Sequence, residues 1–170
     1  MPPHAPAILP PDFVAMMQRG VSVIVASCGR EGLPSIMRAV GSAVDDGGQR
    51  VTVFLSSRQS RQLLLDVQAT GRIAAVFSEP PTHRTVQLKA RAPSIRPAGE
   101  SDVPALARYL QSMEHELSQV GLRPEFTRAM LARRLEDLVA VSFTPDEAFN
   151  QTPGPRAGCA LAGTAQERAP

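Results

Sequence analysis

The residues best equipped for chemistry are gathered in six consecutive positions. Ser56, Ser57, Arg58, Gln59, Ser60 and Arg61 follow a β-rich run and precede Leu63, Leu64 and Val67, whose spacing predicts an amphipathic helix that stops at Gly71. A helix start carries free backbone N–H groups and partial positive charge, so hydroxyls and guanidiniums placed there form a socket for a dianionic phosphate. Simpler readings stand beside this one. Ser57 and Ser60 are good helix caps with no ligand at all, and Arg58 and Arg61 can be solvated charges. Against the second, cations are unfavourable beside the positive end of a helix dipole unless an anion offsets them. Arg38 interrupts an otherwise apolar run, where an unpaired charge is costly; it either faces solvent on an edge or has an anionic partner.

The remaining reactive residues support less. Cys28, at a strand end, reads as a small buried filler, and Cys159 lies far from it. Neither has a Cys or His at metal-ligand spacing, so no metal site is expected, and two distant cysteines suggest no disulfide framework. Glu114, His115 and Glu116 are consecutive on an expected helix and do not share a face. His83 reads as a solvated loop residue, and His4 and His115 have no assigned role. No catalytic residue can be named.

The elements that must hold the Ser/Arg cluster are mostly strands. Val21–Cys28 is rich in β-branched residues, and Gly29-Arg30-Glu31-Gly32 turns the chain into a long second strand, Leu33–Val44. Asp45-Asp46-Gly47-Gly48 then turns it into a third, Val51–Ser56. Arg72–Ser78, Arg84–Arg91 and Leu138–Phe143 complete six strands. Helices are expected from Asp12 to Gly20, over 61–70, from Ser101 or Asp102 to Gly121, and from Pro124. The third carries Val103, Leu106, Ala107, Leu110, Met113 and Leu117 as its apolar stripe; the fourth carries Phe126, Met130, Leu131 and Leu135. This pattern is mainly β, of the α+β class: a six-stranded antiparallel split barrel with flanking helices. It divides into a Pro-rich leader over 1–11, one domain over 12–145 and a Pro/Gly/Ala-rich tail over 146–170. A parallel nucleotide-binding sheet is excluded, because strands and helices do not alternate and no Gly-x-Gly-x-x-Gly follows the first strand.

Composition narrows the function class. The 170 residues are 43% hydrophobic and 20% charged, enough for one compact core, which 4% aromatics and no Trp leave to aliphatic residues. A net charge of +2 without a basic block gives no support for a nucleic-acid partner. The N-terminal segment lacks the basic start and continuous apolar core of a signal peptide or membrane anchor, so a cytoplasmic setting is the simplest expectation. The positive charge is almost all arginine, with Lys89 the single lysine, and arginine is the better fork for phosphate.

The order of elements resembles the pyridoxamine 5'-phosphate oxidase-like FMN-binding split-barrel family. The resemblance rests on Met37-Arg38-Ala39-Val40-Gly41, on Ser57-Arg58-Gln59-Ser60-Arg61, and on the Gly71–Phe77 strand, and covers the first ninety-odd residues. Phe149-Asn150-Gln151-Thr152-Pro153-Gly154-Pro155 looks like the ending of a predicted flavin-nucleotide-binding branch of that family. The resemblance implies a homodimer with FMN between the subunits. It implies that Arg38 reaches the phosphate or flavin edge, that Ala39 and Val40 offer backbone groups to the ring, and that Ser57, Arg58, Ser60 and Arg61 grip the phosphate. The chain lacks the Trp and the C-terminal Arg-Leu segment of true pyridoxamine phosphate oxidases, so the likeness extends to the flavin scaffold and not to the vitamin B6 reaction. It points to a small oxidoreductase that uses a reduced nicotinamide (NADH or NADPH), oxygen or a small organic partner; a non-catalytic flavin, haem or deazaflavin binder, or a ligand-free interaction module, remains as the alternative.

Overall fold

The computed structural model describes residues 9–45 and 47–161; most of the expected leader, Asp46 of the second turn, and the last part of the tail lie outside them. Among the described residues the chain forms nine strands and four α-helices. Strands β1 (Ser22–Cys28), β2 (Pro34–Arg38), β5 (Arg72–Ser78), β6 (Thr85–Arg91) and β9 (Glu147–Asn150) make an antiparallel sheet in the order β2-β1-β5-β6-β9. Strands β3 (Gly41–Val44), β4 (Val51–Ser56), β7 (Ser94–Pro97) and β8 (Leu138–Phe143) make a second, in the order β3-β4-β8-β7. The α-helices are α1 (Pro11–Arg19), α2 (Arg61–Thr70), α3 (Val103–Ser118) and α4 (Pro124–Met130).

Each of the six expected strands is present, but the count is nine rather than six. The long second strand is two, β2 and β3, because the chain crosses from one sheet to the other at Ala39 and Val40. There the Ala39 N–H donates to Val23 O at 3.0 Å and the Val40 N–H to Phe54 O at 2.9 Å. Gly41 permits the crossing: a Cβ there would lie 2.6 Å from Leu106 Cδ2 and 3.1 Å from Phe54 Cδ2, so the bend packs against both only without a side chain. The two additional strands sit at sheet edges. β7 ends in Pro97, which an edge strand tolerates, and β9 falls within the stretch read as a tail, pairing Lys89 with Glu147 and Gln87 with Phe149.

The core lies between the sheets. β1 and β5 alternate in burial, so that Val23, Val25, Ile73, Ala75 and Phe77 join Val53, Leu55 and Val141, which share one face of the other sheet, in the buried core. α1 and α3 pack on β3, and α2 packs on β1, β2 and β5 with Leu63 and Val67 buried. Gly71 ends α2 in the left-handed conformation, φ +64, its N–H donating to Val67 O at 2.8 Å. Two expected faces are corrected. Phe126, placed on the buried side of α4, is 52% exposed, since α4 packs on α3 rather than on a sheet, and Val103 and Ala107, placed on the α3 stripe, are exposed, since α3 buries only Leu106, Tyr109, Met113, Glu116 and Leu117. Tyr109, absent from the expected stripe, is instead fully buried, and burial raises its phenol well above the ordinary tyrosine range.

Candidate functional site

The crossover that splits the second strand also builds the site. Gly41 pairs with Phe54 and Val44 with Val51, and the Val40 N–H continues this ladder onto Phe54 O. The ladder stops there, since the Ala39 N–H turns to Val23 O of the other sheet, so the corner at 39–40 lies against the last residues of β4, which lead directly into the turn at 56–60.

The turn is held from its own backbone and from the short turn that precedes β8. The Ser57 N–H donates to Asp137 O at 2.8 Å, the Ser60 N–H to Ser56 O at 2.9 Å, and the Leu64 N–H to Ser60 O at 2.9 Å. The side chains are largely uncommitted. Ser60 occupies the residue before α2 but makes no side-chain cap; its Oγ is buried without a hydrogen-bond partner, and the residue is 1% exposed. Arg58 and Arg61 are exposed, and neither enters an ion pair among the described residues. The first turn of α2 contains no acidic residue. Two cations and an orphaned hydroxyl thus stand at the positive end of a ten-residue helix with no anion to offset them.

Arg38 is half-buried and turned toward β1, where its Nη1 donates to Ser22 Oγ at 2.8 Å. A neutral hydroxyl is its partner, and no carboxylate pairs with it among the described residues. Ser22 was not singled out from the sequence, since it meets Arg38 only through the β1–β2 register, which sets Ile24 opposite Arg38. Ala39 and Val40 are both buried, and their N–H groups donate to Val23 O and Phe54 O, across the two sheets.

The beginning of β6 is fastened by the segment after β9. The Thr85 N–H donates to Thr152 Oγ1 at 3.0 Å and the Gln151 N–H to Thr85 O at 2.9 Å, so the Gln151-Thr152 pair packs onto the sheet. A cavity of about 470 Å³ lies elsewhere, at the far end of β1, lined by Cys28, Arg72, Lys89, Arg91, Asp146 and Glu147. It is separate from the Ser/Arg cluster, of which Arg58, Gln59 and Arg61 are exposed on the single chain. Among the described residues, no group of three or more His, Cys, Asp or Glu could hold a metal, and no helix is long and apolar enough to cross a membrane.

No protein-family model matches the chain, and no curated protein matches it by sequence. Solved structures resemble it in fold. An F420 reductase superposes with a TM-score of 0.58 at 16% identity, covering 82% of this chain and 98% of its own. A Lactobacillus delbrueckii protein named as a candidate pyridoxamine 5'-phosphate oxidase gives 0.53 at 13% identity, covering 84% of this chain and 93% of its own. HupZ from Group A Streptococcus gives 0.53 at 12%, covering 89% of this chain and 100% of its own. On its architecture, the chain has the split-barrel fold of the pyridoxamine 5'-phosphate oxidase-like proteins.

Proposed function

We propose that this chain is an FMN-binding protein that works as a small flavin-dependent oxidoreductase. The observation that carries the reading is the start of α2, where Arg58, Arg61 and the orphaned Ser60 hydroxyl face no acid. These residues fit a phosphate. The guanidiniums supply charge-assisted donors, the helix amides supply more, and a rotation about χ1 of Ser60 gives its hydroxyl a partner. Ser57 lies in the same turn, and Arg38 reaches the flavin side of the corner. Ala39 and Val40 contribute as the buried bend that fixes Arg38, not through their N–H groups.

When bound, FMN supplies the hydride or electron transfer itself. The protein's part is to anchor the phosphate, orient the ring against the sheet and shield the second substrate. A homodimer, with the flavin between subunits, suits a cluster whose Arg58 and Arg61 are exposed on one chain. NADH, NADPH or a small organic molecule would serve as the second reactant, and the free thiols Cys28 and Cys159 suit a reducing cytoplasm. A deazaflavin in place of FMN is the second reading, favoured by the likeness to an F420 reductase.

The test is a flavin titration of the parent protein and of Arg58→Ala and Arg61→Ala. Each substitution removes a charge-assisted contact and is expected to weaken FMN binding roughly tenfold. Undiminished affinity in both variants would place the phosphate elsewhere.

A further inference from the structure

We propose that the groove between α3 and α4 binds an aliphatic carboxylate, with its chain along a leucine floor and its head on the Arg133 guanidinium. The groove encloses about 420 Å³, within the usual range for small-molecule sites. Its floor is Leu106, Leu131 and Leu138, each buried, with the half-buried Leu110 on one side. Its mouth is flanked by the exposed Ala107, so a chain can enter without opening the core.

Arg133 gives this apolar groove a charged end. The guanidinium is half-buried and donates from Nη1 to Leu131 O at 3.1 Å and from Nη2 to Leu106 O at 2.8 Å. Both acceptors are neutral carbonyls. Its neighbours Arg128 and Arg134 instead find Glu114 and Glu136, while no carboxylate pairs with Arg133 among the described residues. A half-buried cation without a counter-ion is an unfavourable arrangement, and burial accordingly lowers its pKa. Capping the last turn of α4 accounts for the bond to Leu131 but not for a leucine-lined space beside an uncompensated charge. Each bonded nitrogen still has a second hydrogen, so a carboxylate can add to the fork without displacing either carbonyl. Chain-length dependence and charge dependence are separate consequences of the two ends of the groove.

Calorimetric titration of the full-length protein with octanoate, decanoate, dodecanoate and dodecanol, all below micelle-forming concentrations, tests both ends. The carboxylates should bind saturably, one per chain, tightening by up to about fourfold for each added methylene. Dodecanol should bind about tenfold more weakly than dodecanoate. Ala107→Trp, at an exposed helix position, should block binding while the melting temperature stays near that of the parent. Arg133→Gln should remove the preference for carboxylate over alcohol and keep the chain-length dependence. If Arg133→Gln fails to fold, the alcohol comparison and Ala107→Trp still decide. No saturable uptake of dodecanoate, equal binding of the alcohol, or undiminished binding in Ala107→Trp would each overturn the proposal.

Discussion

Ser60 is the residue at which sequence and structure make the sharpest joint statement. From its position it reads as an N-cap, yet its hydroxyl turns inward and bonds to nothing. An unsatisfied buried hydroxyl opposes folding, so Ser60→Ala should leave the ligand-free protein as stable as the parent or raise its stability by up to about 1 kcal/mol in urea unfolding. The same variant should bind FMN severalfold more weakly; unaltered binding would remove Ser60 from the site. Glu116 gives a second residue-scale prediction. It is buried on α3, and burial, reinforced by nearby Glu79, raises its carboxyl above the ordinary range, with Arg19 and His115 opposing. A raised folded-state value means that its contribution is fully present below the unfolded value of about 4.3 and is lost as pH rises through the folded value. Glu116→Gln should therefore raise the urea midpoint at about pH 7 and leave it nearly unchanged at about pH 4. Equal effects at both pH values would show that the carboxyl titrates normally.

At the scale of elements, legibility followed local periodicity. The β1 alternation and the α2 stripe ending at Gly71 could be read directly, because each side chain's face is set by its own neighbours in sequence. The break at Ala39-Val40 could not, since Met37–Val44 keeps strand-like composition across it and only the packing of Gly41 under Leu106 and Phe54 divides it. Prolines at 93 and 97 obscured β7, and a Pro-rich context obscured β9. The candidate site shows the same division. The Ser/Arg cluster was visible as a helix start, while the Arg38–Ser22 bond depends on cross-strand register and the bonds from the Ala39 and Val40 N–H groups depend on the crossover. Gly41→Ala tests that crossover. With Leu106 buried, the new methyl should overpack the corner and lower stability by about 1–3 kcal/mol in denaturant unfolding. A neutral effect would mean that the corner yields more readily than its contacts imply.

At the scale of the molecule, two sheets enclose one mostly aliphatic core and leave Arg58 and Arg61 exposed at the turn that follows β4. Core and site therefore make different demands on the sequence: interior positions need only apolar bulk, whereas the turn at 56–61 keeps two guanidiniums outside any ion pair among the described residues and the Ser60 hydroxyl without a partner. The central claim is that this turn holds the phosphate of a flavin. The most direct measurement is a fluorescence titration of the intact protein with FMN and with riboflavin, which differ only in that phosphate, repeated on the Arg58→Ala/Arg61→Ala double variant. The account predicts saturable FMN binding at least about tenfold tighter than riboflavin in the parent protein, and a difference that collapses in the double variant. Equal affinity for the two flavins, or no uptake of either, would contradict it.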